Sequence, residues 1–390
     1  MSESLSDGWT SRKRLLTALD CGVPDRVPVN TYELAGYNST DWYNRQPSYQ
    51  RLMERIRADT DCITNWAPSG LDQSDAYAHS TACVLCSMHP VPTDTQTERD
   101  GKRTRTTQVL HTPAGDLRRV TEADDHVLTT WTVEHLCKST DDVDKALSVP
   151  YEPATYSDSD YGRVQTELGD RGLVMNSPAD PACIAAQLMS YQDYMMWAFE
   201  QTEHFARTVD AVAERVMDDL HRQLGVCTVD LYRICGPEYM TPPYLPPRFF
   251  KRFMVPHVRQ MTDIIHSYGG KVRLHCHGKI GQVLDMFFET GCDGTDPCEP
   301  PPDGDIELDE VKRRCADHHV SVWGNIELKV LEQGSTDDVR RTVKRCMDQA
   351  KAGGGYIVLP TAGPINIPLA TQTESNYLTM IDAALEYGVY

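Results

Sequence analysis

The sequence contains no apolar run near the roughly 18 residues needed to cross a membrane, and its opening stretch, Met1-Ser-Glu-Ser-Leu-Ser-Asp-Gly8, is polar. With neither a span nor a signal peptide, the expected location is the cytoplasm. Positive charge is scarce as well: 38 Lys and Arg stand against 57 Asp and Glu, a formal net charge of −19. That balance argues against a nucleic-acid or anionic-membrane surface, which needs clustered cations, and mainly means solubility. No Gly-x-Gly-x-x-Gly occurs at a strand-helix turn, which counts against a dinucleotide site on a doubly wound open sheet. Internal repeats and low-complexity tracts are missing too. The 13 cysteines are odd in number and irregularly spaced, so they read as reduced thiols and not as a disulfide framework. Cys83-Val-Leu-Cys86 has no second pair to complete a zinc site and is read as structural.

What the chain does contain is an alternation of strand and helix patterns. Helical spacing over 11–20 (Leu15, Leu16, Leu19) is followed by a strand, Arg26-Val-Pro-Val-Asn-Thr31, a helix over 49–58 and a strand at Asp61-Cys-Ile-Thr-Asn65. From about 83 to 150 the pattern becomes two-residue alternation broken by turn residues, as in Thr104-Arg-Thr-Thr-Gln-Val-Leu-His111, Gly115-Asp-Leu-Arg-Arg-Val120 and His126-Val-Leu-Thr-Thr-Trp-Thr-Val133. This predicts antiparallel hairpins inserted in the main fold. Strands are then expected at 172–176, 227–232, 271–275, 294–296, 320–323 and 355–359, with helices over 191–224, 247–268, 280–290, 309–316, 336–352 and 373–387. With the two strands near the start this makes eight. The expected fold is α/β: a (β/α)8 TIM barrel over 1–390 with an N-terminal antiparallel hairpin insertion at 83–150.

In such a barrel chemistry collects at the C-terminal ends of the strands. Gly270-Lys-Val-Arg-Leu-His-Cys-His-Gly278 is the stretch of greatest interest. In an extended segment, residues i and i+2 share a face, so His275 and His277 can converge while Cys276 points away. Glu299, after the next strand, is the natural third ligand, and His, His and Glu with an open position match the ligand count of a catalytic zinc. Other polar residues at strand ends are Asn30, Tyr32 and Glu33; Asn176; Tyr232, Arg233 and Glu238; Asp296; Asn325 and Glu327. Of these, Glu238, Glu33 and Tyr232 are the catalytic candidates, and Asn30, Tyr32, Asn176, Arg233 and Asn325 the substrate-binding ones. Gly236-Pro-Glu-Tyr-Met-Thr-Pro-Pro-Tyr244 is a stiff aromatic loop on the same face. His318 and His319 fall at the opposite end and read as surface residues.

Several short motifs, taken in order, resemble the uroporphyrinogen decarboxylase superfamily: Arg14-Leu-Leu-Thr-Ala-Leu19, Pro24-Asp-Arg-Val-Pro-Val29, Pro242-Pro-Tyr-Leu-Pro-Pro247, His275-Cys-His-Gly278, Gly324-Asn-Ile326 and Gly355-Tyr-Ile-Val-Leu-Pro360. The resemblance implies a TIM barrel and one of two chemistries. Porphyrinogen decarboxylases work without a cofactor and hold an acidic substrate with an Arg-Gln-Ala-Gly-Arg type motif; the matching Tyr32-Glu-Leu-Ala-Gly-Tyr37 lacks both arginines. The corrinoid-linked methyltransferases carry a zinc on His-x-Cys and a later Cys, in some members with a Glu between. On that pattern His275 matches the first ligand, Glu299 the Glu, His277 replaces the first Cys and Ala362 stands near the second.

Loss of both thiolates leaves a harder, more Lewis-acidic metal, suited to an oxygen or nitrogen substrate. The resemblance therefore implies a zinc-dependent methyltransferase that moves a methyl group between a small ether-, alcohol- or amine-type substrate and a corrinoid (cobalamin) carrier on a partner protein. Barrels of this kind often pair, which makes a homodimer the analogous expectation. The alternatives are a cofactor-independent decarboxylase, with Arg233 on the carboxylate and His275 or His277 as proton donor, and a non-catalytic ligand-binding barrel.

Overall fold

The structure, a computed structural model, describes residues 8–38, 40–70 and 86–390. Its strands are β1 (Cys62–Asn65), β2 (Ser69–Gly70), β3 (Thr93–Asp100), β4 (Arg103–Thr112), β5 (Gly115–Asp124), β6 (Val127–Glu134), β7 (Tyr156–Ser157), β8 (Gly172–Asn176), β9 (Leu231–Cys235), β10 (Lys271–Cys276), β11 (Gly294–Pro297), β12 (Ser321–Trp323) and β13 (Tyr356–Ile357). Seven of them form one parallel sheet in the order β1-β8-β9-β10-β11-β12-β13. Each parallel step is bridged by helix, so the sheet has one face toward the helices and curls around the other.

The strand expected at Arg26-Val-Pro-Val-Asn-Thr31 is not a regular one, which corrects the count of eight. Residues 27–30 nevertheless lie between the two sheet edges. Asn30 N–H donates to Val358 O at 3.0 Å and Val358 N–H to Pro28 O at 3.1 Å, while Asp61 N–H donates to Val29 O at 2.7 Å. Pro28 has no N–H, so the ladder cannot run on through it. What remains is a parallel bridge, Val29 to Val358.

Two-residue alternation sorts the side chains into two layers. Leu173 and Met175 of β8, Leu231 of β9, Trp323 of β12 and Ile357 of β13 meet inside the curl. The helix Ser11–Leu19 seals its floor with Leu15, Ala18 and Leu19. Tyr232, Ile234, Val272, Leu274 and Cys276 face the other way, into the core between sheet and helices. Charged residues fix the floor: Asp61, with no exposed surface, accepts from Arg14 Nη1 and Arg26 Nη1, each at 2.7 Å, and from Val29 N at 2.8 Å. Arg14 also bonds Asp25, Nε to Oδ1 at 2.6 Å.

The strands β3 to β6 form a separate antiparallel meander in sequential order. Three of its strands follow the expected alternation, and β3, Thr-Asp-Thr-Gln-Thr-Glu-Arg-Asp, was hidden by having no apolar residue on either face. The helix expected over 191–224 is two, Tyr191–Glu200 and Thr202–Val226, broken where Gln201 leaves helical geometry (φ −125°, ψ 38°). Helices Thr140–Leu147, Tyr161–Leu168 and Pro181–Gln187 were not expected. Among the described residues no helix is long and apolar enough to cross a membrane, and no disulfide forms. Cys83 lies outside the described residues.

Candidate functional site

The site is organised by β10. Val272, Leu274 and Cys276 point into the helix-side core, so Arg273 and His275 must point into the curl. Cys276 is buried, with Sγ 3.2 Å from Thr241 Oγ1, on the side away from the histidines as its position in the strand demands. The register sets β11 beside β10 with His275 opposite Asp296. His275 Nδ1 lies 2.8 Å from Asp296 Oδ2, and its Nε2 lies 3.2 Å from the Tyr32 hydroxyl. Arg273 Nε stands 3.0 Å from Asp296 Oδ1, an ion pair whose angles fall outside those of a hydrogen bond.

These contacts set the charges. Burial acts to raise the Asp296 carboxyl, but Arg273 and His275 outweigh it and hold it well below the usual carboxylate range. Burial pushes the His275 imidazole below its ordinary value, even against Asp296. His277, just past the strand, has the opposite bias. Burial works against its charge too, but Glu299 Oε1 sits 2.8 Å from its Nδ1 and the imidazole titrates above its ordinary value. The Glu299 carboxyl, though raised by burial, is carried below its usual range by the same contact. The two imidazoles stand edge to face with centroids 4.8 Å apart.

Gly278 makes this possible. Its φ of +97° turns the chain where a side chain would be strained, and its N–H donates to Glu299 Oε2 at 3.0 Å. A Cβ added there would stand 2.8 Å from Pro242 O, and Lys279 N–H donates to that same carbonyl at 2.9 Å. The loop 236–244 is thereby held over the histidines.

The expected three-ligand set, His275, His277 and Glu299, is brought together but not as a metal centre. Both carboxylate oxygens of Glu299 are turned to His277 Nδ1 and Gly278 N, so it orients an imidazole instead of joining it as a ligand. Cys276 and the buried Cys298 turn elsewhere, and Ala362 offers no donor. Among the described residues no group of three or more His, Cys, Asp and Glu side chains is placed to hold a metal ion. The donor set as arranged does not fit zinc.

Of the other expected residues, Tyr32 and Arg233 are at the mouth, the Arg233 guanidinium 5.1 Å from the centre of the Tyr32 ring. Glu238 lies on the loop after β9, with Oε2 buried and without a partner. The same is true of Asp180 Oδ2, and burial, with the nearby charge of Glu238, pushes the Asp180 carboxyl up to about 8. Glu33 is exposed beside Gly363.

Tyr232 is a correction: it faces the helix-side core, and its hydroxyl accepts from Val229 N at 3.1 Å. The three asparagines are committed to the scaffold. Asn30 Nδ2 donates to Asp61 O at 2.9 Å, Asn176 Nδ2 to Gln223 Oε1 at 3.0 Å and Asn325 Nδ2 to Cys298 O at 2.6 Å. Arg273 and Asp180 were not foreseen. An arginine two residues before His275 in an otherwise apolar strand was the available signal for Arg273. Nothing local marked Asp180, which reads as the N-cap that it also is.

The sequence model of the uroporphyrinogen decarboxylase (URO-D) family matches residues 134–387. The methylcobamide:CoM methyltransferase MtaA of Methanosarcina barkeri is 22% identical over 131 residues, which span 34% of this chain and 37% of that protein. A methyltransferase from Methanosarcina mazei has a similar fold, with a TM-score of 0.60 over 97% of this chain and 99% of that one at 14% identity.

Proposed function

The chain belongs to the uroporphyrinogen decarboxylase family, and from that membership we propose that it is an enzyme transferring a methyl group between a small methylated substrate and a corrinoid carried by a partner protein. The curled sheet, with residues 27–30 across its edges, is taken as the (β/α)8 barrel, and the ends of β9 to β11 as its working mouth. The methyltransferases of similar sequence and fold support this branch of the family.

The observation that carries the chemistry is the opposite bias of two adjacent imidazoles. Paired titratable groups whose surroundings drive their pKa values apart divide into acid and base. His277, whose proton Glu299 holds to higher pH than an ordinary imidazole, is taken as the acid; His275, whose charged form burial disfavours, is taken as the acceptor. When a methyl carbon leaves an oxygen or nitrogen, the bonding pair stays on the heteroatom, and His277 supplies the proton that this atom then takes. The corrinoid, when bound, supplies the acceptor of the methyl carbon. Among the described residues the zinc anticipated from sequence has no convergent donor set, so no step is assigned to it.

The test is a methyl-transfer assay with the full chain, cobalamin kept in the cob(I) state by a chemical reductant, and methoxy- or methylamino-substrates, read at the cobalt–methyl absorbance. Transfer is expected, and His277→Gln should slow it by about 100-fold or more, the usual effect of removing a general acid. Carbon dioxide release from a carboxylated substrate with the cobalt–methyl band unchanged would assign the chain to decarboxylation. Stoichiometric zinc that disappears in His277→Ala would make His277 a ligand and overturn its role as acid.

A further inference from the structure

The inner layer of the mouth holds more positive than negative charge. Arg233 on β9 and Arg273 on β10 are register partners. The nearest carboxylate on the strands is Asp296 of β11, on the other side of β10 and already shared by Arg273 at 3.0 Å and His275 at 2.8 Å. His275 adds no charge near neutral pH, since burial holds it below its ordinary value. Arg233 feels Asp296 and Glu33 at longer range but has no carboxylate in direct contact. Among the described residues its side chain makes no ion pair and no hydrogen bond; its Nε is buried without a partner, and its guanidinium rests over the Tyr32 ring. Glu33 acts on Arg233 only at longer range; its carboxylate lies against Gly363, where an added Cβ would meet its Oε2 at 3.2 Å.

A guanidinium taken from water without an anion is unfavourable, and a planar two-pronged donor is suited to a carboxylate. We propose that Arg233 anchors a carboxylate of the small substrate, so that the molecule worked on beside His275 and His277 is an organic acid. This rests on the assignment of the mouth as the working site, and it names the class of substrate that the site takes. The anion on Arg233 would make the layer neutral: two guanidiniums, Asp296 and one bound carboxylate. It would also fix the rest of the molecule next to the Tyr32 hydroxyl, itself 3.2 Å from His275 Nε2.

Calorimetric titration of the full chain with acetate and benzoate, each against its uncharged amide, tests the proposal without any turnover. The wild type is expected to bind at least one acid about tenfold or more tighter than the matching amide, as a charge-assisted pair should give. Arg233→Met should abolish that preference, and Arg233→Lys, which keeps the charge but not the fork, should fall between. Equal binding of acid and amide by the wild type, or an unchanged preference in Arg233→Met, would overturn it. If Arg233→Met does not fold, the wild-type preference and its reduction in Arg233→Lys decide. Because binding alone is read, an acid preference without methyl transfer would leave the anion site standing while removing the proposed reaction.

Discussion

Glu299, 2.8 Å from Nδ1, lets His277 hold its proton to higher pH than an ordinary imidazole, and this gives the site a definite pH dependence. Its folded value is raised, so its contribution to stability is complete below the ordinary histidine value and is lost as pH rises through the raised one. Glu299 is lowered, so its contribution is present above the ordinary carboxylate value and is lost as pH falls through the lowered one. The couple is intact between those limits. With His277 as acid, the rate should fall on the alkaline side as the raised imidazole loses its proton. Glu299→Gln should move that limb to lower pH, measured as kcat against pH.

Asp180 behaves in the opposite sense: pushed up to about 8, it weakens the fold progressively from the ordinary carboxylate range up to about pH 8. Asparagine can take over its N-cap bond to Cys183 N. Asp180→Asn should therefore gain stability over the wild type as pH rises across that window, seen by urea denaturation at pH 5 and pH 8.

At the level of elements, alternation along a strand decides which side chains reach the mouth. Arg233 and Tyr232 are neighbours in sequence and on opposite faces of β9. Tyr232→Phe should therefore leave kcat unchanged and cost about 1 kcal/mol, the hydrogen bond from Val229. The turn after β10 is as restrictive. Gly278→Ala places a Cβ at φ +97° and 2.8 Å from Pro242 O, which should cost about 1–3 kcal/mol in backbone strain and displace the loop 236–244. Activity should drop more than unfolding free energy, since that loop and Glu299 both bear on His277.

For the molecule as a whole, the floor and the mouth are separate. Asp61 ties Arg14, Arg26 and Val29 together where the sheet edges meet, at the other end of the strands from the histidines. Asp61→Ala leaves the half-buried Arg26 without its anion and Arg14 with Asp25 alone, and should cost about 3 kcal/mol by urea denaturation. At temperatures where the variant is folded, kcat should stay near that of the wild type. The Arg14 and Pro24-Asp-Arg26 motifs, legible in the sequence as family marks, are explained by this network, which is structural.

Several features followed from sequence alone because they depend on local spacing. Strand and helix alternation, the hairpins of β4 to β6 and the shared face of His275 and His277 are all of this kind. The tertiary structure decided what each side chain meets. Register across β10 and β11 gave Asp296 to His275, and loop geometry turned Glu299 onto Nδ1 of His277, so that an expected ligand became an orienting base. Burial then separated the two imidazoles in charge, and pairing consumed Asp296 while leaving Arg233 without an anion. Spacing along a chain fixes the face on which a residue stands; partners and dielectric come from segments distant in sequence, and only packing brings those together.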